Sequence, residues 1–314
     1  MSKKILVTGA TGQVGSELTI ALRDKFGGGN VIAVGHSGAP DKELKNSGPY
    51  EVVDATDMNA LRALVEKYEA GIIYHLVGIL SAAGEKKPDL AWRVNMESLK
   101  NVLDLARNLK LRIFWPSSIA AFGPTTPKKN TPQKTILEPS TIYGVSKVAG
   151  ELLANYYFLK YGVDVRSLRY PGLISYKTPP RGGTSDYAVA VFFEAVKNKH
   201  YSFFVNKETV LPMMYMPDAV KATIEIMEAD PKKLTVRHSY NLAAMSFSAQ
   251  ELALEVKKHI PDFSYDFKPD ERQKIADSWP KTIDDSRARE DWGWRPEFDL
   301  SKTVVDMLEN IRKH

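Results

Sequence analysis

Ile5-Leu6-Val7-Thr8-Gly9-Ala10-Thr11-Gly12-Gln13-Val14-Gly15 decides how this chain folds. The apolar run Ile5–Val7 reads as a buried strand, and the amphipathic stretch Gln13–Lys25 reads as a helix. Between them stands GxxGxxG, a variant of the dinucleotide-binding turn. Gly9 allows a tight turn, Gly12 lets the backbone approach a pyrophosphate, and Gly15 lets the helix pack on the strand. The helix N-terminus, at Gln13 and Val14, then offers free N–H groups and the positive end of a dipole to phosphates. The competing reading is an ordinary glycine-bearing turn. The strand before and the helix after favour the binding turn.

Outward from this stretch the pattern repeats. Strands are expected at Ile5–Val7, Val31–Val34, Glu51–Val53, Ile72–His75 and Arg112–Trp115, with helices at Gln13–Lys25, Met58–Tyr68 and Pro88–Asn108. Such alternation argues for an α/β fold, a Rossmann-type doubly wound parallel sheet covered on both faces. A proline-punctuated loop, residues 123–132, precedes a helix expected over Ser140–Tyr161 and a strand over Asp164–Arg169. Beyond residue 175 the alternation breaks, and helical patterns return at Tyr187–Asn198, Pro217–Ala229 and Ala249–His259. The expected division is a dinucleotide-binding domain over 1–175 and a smaller, mainly substrate-binding C-terminal region over 176–314. Segments at about 210–245 are expected to return to the first domain.

Composition narrows the chemistry. The 314 residues are 43% hydrophobic and 26% charged, with a formal net charge of +5, which suits a globular chain able to bury a sizeable core. The lysine pairs are scattered, and no basic block is interleaved with aromatics, so no nucleic-acid partner is expected. Cysteine is absent and the six histidines are dispersed, so thiolate catalysis is excluded and no metal site is expected. Met1-Ser2-Lys3-Lys4 runs straight into the first strand with no signal-like apolar region, and no segment is apolar enough to span a bilayer. A soluble, cytoplasmic protein with no membrane partner is expected.

Tyr143 and Lys147 form YxxxK inside an expected helix, which puts both on one face. A free tyrosine, with a pKa of about 10, is a poor base at neutral pH. A neighbouring ammonium favours its phenolate. Ser117-Ser118 closes the fifth strand, at the edge where open parallel sheets bind ligands, and a hydroxyl there polarises a reacting oxygen. Each part alone has a plain reading, a half-exposed helix face or a polar loop. Glycine turn, strand-end serine and YxxxK in that order favour an active site. About 20 residues past the turn a carboxylate usually holds the adenosine ribose of NAD, yet Gly35 stands there, followed by His36 and Ser37. NAD is the expected cofactor, with modest discrimination against NADP, and an acid placed at residue 35 is expected to sharpen it, provided the backbone tolerates a side chain there. Asp54, ending the third strand, reads either as an adenine-facing contact or as a turn carboxylate.

These residues resemble the extended short-chain dehydrogenase/reductase superfamily. Later segments resemble its short-chain L-threonine 3-dehydrogenase branch: Gly78-Ile79-Leu80-Ser81-Ala82, Arg169-Tyr170-Pro171-Gly172-Leu173-Ile174-Ser175, Gly183-Thr184-Ser185-Asp186-Tyr187, Leu211-Pro212-Met213-Met214-Tyr215-Met216 and Ile275-Ala276-Asp277-Ser278-Trp279-Pro280. The resemblance implies oxidation of the 3-hydroxyl of L-threonine. Tyr143 would act as base, Ser118 on the reacting oxygen, Lys147 on the cofactor ribose, and Asn95 in a water-borne proton relay or a backbone bond. Ser81, Ser118, Tyr143 and Thr184 would hold substrate. Ala55, Leu76, Val77, Gly78, Tyr170 and Pro171 would line the cofactor, beside Asp54. Arg181 reads as a carboxylate anchor or a plain loop cation. Relatives pair through helices matching about 88–108 and 140–161, which suggests a homodimer and leaves a monomer open. The alternatives are a nucleotide-sugar epimerase or dehydratase, and a non-catalytic nicotinamide-sensing regulator.

Overall fold

The apolar runs become strands and the periodic stretches between them become helices. The computed structural model describes residues 3–36, 40–180 and 183–313. In chain order its elements are β1 (Lys4–Thr8), α1 (Gln13–Phe26), β2 (Val31–Gly35), α2 (Lys42–Asn46), β3 (Tyr50–Val52), α3 (Met58–Lys67), β4 (Ala70–His75), α4 (Ser81–Lys86), α5 (Pro88–Leu109), β5 (Arg112–Ser118), α6 (Ile142–Tyr161) and β6 (Val165–Tyr170). There follow β7 (Gly172–Ile174), α7 (Tyr187–Asn198), β8 (His200–Phe203), β9 (Val210–Tyr215), α8 (Met216–Glu228), β10 (Tyr240–Asn241), β11 (Met245–Ser248), α9 (Ala249–His259), β12 (Ser264–Phe267), α10 (Arg272–Ser278), α11 (Ser286–Trp292) and α12 (Leu300–Ile311).

The helix ends follow from local chemistry. Asp57 accepts from the N–H groups of Asn59 and Ala60 to start α3, and Pro88 opens α5. Thr141 accepts from Gly144 N to start α6, and Gly162, at φ 68°, stops it in the left-handed region. Ser248 and Glu251 form a reciprocal capping box at α9.

The chain forms two compact units. The first holds Met1–Ser117, Thr141–Leu168 and Val220–Tyr240; the second holds Ser118–Ser140, Arg169–Ala219 and Asn241–His314. The chain therefore changes unit at Ser117/Ser118, Ser140/Thr141, Leu168/Arg169, Ala219/Val220 and Tyr240/Asn241.

The first unit is built on a seven-stranded sheet in the order β10-β6-β5-β4-β1-β2-β3. β1 runs parallel to β2 and to β4, β2 to β3, and β4 to β5. The order reverses between β1 and β4, the switch point beyond which such sheets bind ligands. Leu6, Ile32, Val34 and Ile73 from the strands pack with Leu61, Leu99, Val102, Leu103 and Ala154 from α3, α5 and α6 to form its core.

In the second unit β9 pairs antiparallel with β11 and parallel with β7, and β8 pairs parallel with β12. Around β8 and β12 lies an aromatic cluster of Tyr187, Tyr201, Phe203, Phe204, Tyr265 and Phe267.

A buried arginine ties the returning segment of the first unit to its sheet. Arg166 on β6 donates to the carbonyls of Ile226 (2.6 Å), Met227 (3.2 Å) and Ala229 (2.7 Å) around the end of α8. It also pairs with Asp164 at 2.9 Å. Burial alone would raise the Asp164 pKa, but Arg166, Arg112 and Arg237 together hold it below its ordinary value. Arg166→Met would leave a carboxylate and helix-end carbonyls under-satisfied. It is expected to cost roughly 3–5 kcal/mol, read as a lower urea midpoint. An unchanged midpoint would show that the cluster adds nothing.

Candidate active site

The glycine turn leaves β1 at the switch point. Gly9 has φ 75°, which an L side chain rarely adopts, and a Cβ there would lie 2.8 Å from the carbonyl carbon of Leu76 and 2.9 Å from Val77 N. A Cβ on Gly15 would lie 2.2 Å from Gly9 O, so α1 sits directly on the turn. Gly12 caps α1 without a side-chain bond, and no acidic residue stands in the first turn at Gln13 and Val14. Its leading N–H groups are thus unmatched by any side-chain oxygen of the cap, an arrangement that fits a pyrophosphate.

Beside the turn, Leu76, Val77 and Gly78 leave β4, and Leu76 N donates to Thr8 O at 2.9 Å. A buried relay that the sequence reading missed fixes this corner. His75 lies 2.8 Å from Thr8 Oγ1 through Nδ1 and 3.0 Å from Ser98 Oγ through Nε2. Ser98 gives its own proton to Val94 O at 2.6 Å. Nε2 of His75 is therefore the donor and Nδ1 the acceptor. Burial, with Lys147 nearby, pushes the His75 pKa down to about 3 and keeps the ring neutral. One turn earlier on α5, Asn95 accepts from Ile79 N (2.7 Å) and donates to Ile79 O (3.1 Å) and Ser146 Oγ (3.2 Å). Its amide grips the backbone after Gly78.

Tyr143 and Lys147 sit one turn apart on α6. Glu85 of α4 accepts from Ile142 N at 2.8 Å, steadying the start of that helix. Lys147 Nζ lies 5.3 Å from the centre of the Tyr143 ring and 4.5 Å from that of Trp115, and donates to Pro116 O at 2.6 Å. Burial pushes the Lys147 pKa down to about 7, while the Glu151 charge opposes the fall. Glu151 is itself buried and accepts from Ser117 Oγ at 2.6 Å. Its signal was legible: residue 151 extends the Tyr143–Lys147 spacing by one more turn.

Of the remaining candidates in the first unit, Ser81 opens α4 and is nearly buried, and Ala55 is buried. Asp54 accepts from Thr56 N at 2.9 Å and faces His36 at 3.5 Å. The Thr56 bond, partly offset by burial, leads the causes that hold its pKa below the ordinary carboxylate value. Other candidates lie in the second unit. Ser118 accepts from Ala120 N at 3.1 Å, and Tyr170 and Pro171 are buried. Thr184 is buried in a turn where Asp186 accepts from Gly183 N at 2.8 Å. Met213 and Met214 are fully buried in β9, and Trp279 follows α10. Arg181 and Ser37 lie outside the described residues.

The Lys147 environment has a measurable consequence. The folded state releases this proton near 7, the unfolded chain near the ordinary 10.5. Between those values the unfolded chain holds the extra proton, so stability rises with pH. Lys147→Met removes the titration. Melting temperatures recorded from about pH 6 to about pH 10 are expected to show the parent gaining on the variant as pH rises. A constant gap would mean that Lys147 titrates in the fold as it does in water.

Known proteins resemble this chain along its length. The model of the NAD dependent epimerase/dehydratase family matches residues 5–243. An uncharacterized epimerase/dehydratase of Staphylococcus haemolyticus is 49% identical over 99% of this chain and 98% of its own. The holo form of a GalE-like L-threonine dehydrogenase from Cupriavidus necator superposes with a TM-score of 0.96 at 51% identity, covering 98% of this chain and 99% of that one. A monomeric L-threonine 3-dehydrogenase from a metagenome does so with a TM-score of 0.94 at 48% identity, covering 98% and 99%. Likeness of this extent along the whole length admits one assignment: the chain belongs to the NAD dependent epimerase/dehydratase family, within the extended short-chain dehydrogenase/reductase superfamily.

Proposed function

We propose that this chain is an NAD-dependent dehydrogenase that oxidises the 3-hydroxyl of L-threonine to 2-amino-3-ketobutyrate. The observation that carries the reading is near-half identity to L-threonine dehydrogenases across the full length. The Tyr143–Lys147 pair on α6 supports it. When bound, the nicotinamide supplies the acceptor for the hydride from C3.

The chain's own residues do the rest. Tyr143 takes the hydroxyl proton as the C3–O bond becomes a carbonyl. Lys147, cationic while its proton is held, favours the phenolate and donates to the cofactor ribose. Ser118 hydrogen-bonds the reacting oxygen. Ser81 and Thr184 hold the amino-acid head. Gly9, Gly12, Gln13, Val14 and Gly15 receive the pyrophosphate, and Asp54, Ala55, Leu76, Val77, Gly78, Tyr170 and Pro171 line the cofactor. Asn95 acts through the backbone of Ile79 that it holds. The product is a β-keto acid, prone to lose carbon dioxide. A cytoplasmic location fits this reading, and no helix among the described residues is long and apolar enough to cross a membrane.

NADH formation with L-threonine tests the assignment. Turnover of nucleotide sugars instead would move the chain to the epimerase reading, and no turnover of either to a regulatory one. Tyr143→Phe is expected to lower kcat about 10²–10⁴-fold while leaving NAD binding intact. A variant that retains most of its activity would remove Tyr143 from the mechanism.

We also propose a homodimer through α5 and α6. Val145, Leu152, Tyr156 and Leu159 form an exposed stripe along α6, with Leu152 65% and Leu159 72% exposed, and Trp92 is exposed on α5. An apolar row of this length on one helix favours a partner, and a second copy brings a matching row. Light scattering is expected to give twice the chain mass for the parent and a monomer for Leu152→Glu/Leu159→Glu. A parent that is monomeric at micromolar concentration would refute the dimer.

A further inference from the structure

β2 ends at Gly35, where a carboxylate usually receives the adenosine ribose. The structure fills that place from the next strand. β2 and β3 pair in parallel with Ala33 opposite Tyr50 and Gly35 opposite Val52. Side chains alternate along a strand, so Tyr50 shares a sheet face with Ala33 and Gly35. Its length carries the hydroxyl forward to the end of β2. A Cβ built on Gly35 would lie 2.0 Å from Tyr50 Oη and 2.9 Å from Cζ. The hydroxyl occupies the space into which an acidic side chain at residue 35 would grow. An acid at Gly35 would therefore have to displace the Tyr50 hydroxyl before it could sharpen NAD binding.

The segment leading to Tyr50 is held rigidly. Arg23, buried, donates to the carbonyls of Leu44 (2.6 Å), Pro49 (2.5 Å) and Val31 (3.2 Å) and to Ser47 Oγ (2.8 Å). Pro49 O also accepts from Ala33 N at 3.0 Å. Partial burial raises the Tyr50 pKa, so the phenol is neutral at physiological pH and can both donate and accept. At the end of β2, His36 Nε2 lies 3.5 Å from Asp54 Oδ2.

We propose that Tyr50 reads the adenosine ribose in this chain, its hydroxyl standing in for the missing β2 carboxylate and setting the choice between NAD and NADP. The inference rests on the dinucleotide-binding reading above. A carboxylate accepts from both ribose hydroxyls and repels a 2′-phosphate. A neutral phenol makes one hydrogen bond and repels nothing, so NAD is held less firmly and NADP is rejected weakly. Residues 35 and 50 are also coupled: an acid at 35 fits only when the Tyr50 ring shifts or residue 50 is small.

Calorimetric titration with ADP-ribose and with its 2′-deoxy and 3′-deoxy forms tests this without turnover. Tyr50→Phe is expected to weaken ADP-ribose about fivefold, and the loss should vanish for whichever deoxy form lacks the hydroxyl that Tyr50 binds. Gly35→Asp alone is expected to weaken NAD and NADP alike. Gly35→Asp/Tyr50→Ala is expected to regain NAD and to disfavour NADP about 100-fold. Tyr50→Phe binding all three ADP-ribose forms as the parent does, or weakened equally for all three, would overturn the inference alone. A parent that binds no ADP-ribose would overturn it together with the dinucleotide reading.

Discussion

Lys147 places an ammonium where water scarcely reaches. A pKa pushed from 10.5 to about 7 represents a bias on the order of 5 kcal/mol against the charge. The C-terminal edge of the sheet is fitted to that charge. Pro116 O accepts from it, the Trp115 ring lies under it, and Glu151 stands one turn along the helix. Gly150 lets α6 come this close, because a Cβ there would lie 2.4 Å from the Trp115 ring. His75, which feels the Lys147 charge, stays neutral and so adds no second cation there. The place of the ammonium beside Tyr143 is therefore set by how α6 lies on β5, and not by the YxxxK spacing alone.

A second constraint shapes the other side of the switch point. Gly9 is pressed against the backbone leaving β4, so the turn after β1 and the chain after β4 are in direct contact. α5 holds both. Ser98 reaches the turn through His75 and Thr8, and Asn95 reaches Ile79 directly. These bonds are buried or nearly so, where a lost partner costs more than in water. Polar residues on one face of a helix that is otherwise core thus preorganise a surface made of backbone.

Much of this was legible in the sequence because its causes are local. Periodicity located α1, α5, α6 and α9, and capping residues such as Thr141, Gly162 and Ser248 set their limits. The glycine turn and the Tyr143–Lys147 pair carry their geometry in their spacing. What stayed hidden depends on register and on packing between distant segments. The contact of Tyr50 with Gly35 exists only because Ala33, and not a neighbour, faces residue 50 across the sheet. Thr8, His75 and Ser98 meet from three separate elements. β7, β8 and β12 have three or four residues each, too few to show alternation. Residues 118–140 read as an extension of the first domain because nothing in a proline-rich loop says with which residues it packs.

Two tyrosines of the first unit, Tyr143 on α6 and Tyr50 on β3, illustrate how environment divides the use of one side chain. Near Tyr143 stands Lys147, whose charge favours a phenolate, the form that takes the proton in the proposed oxidation. Over Gly35 stands Tyr50, whose partial burial keeps the phenol protonated. The first needs an ionisable oxygen at the reacting carbon; the second needs a hydroxyl that stays neutral beside a sugar. Had β2 kept its carboxylate, the adenosine end would be read by a fixed charge, with rejection of NADP built in. With a neutral hydroxyl there, preference for NAD must come from shape and from one hydrogen bond, and these discriminate far less than like-charge repulsion. On the proposed reading, the chain commits electrostatic bias to the reacting end of the cofactor and little to the recognition end.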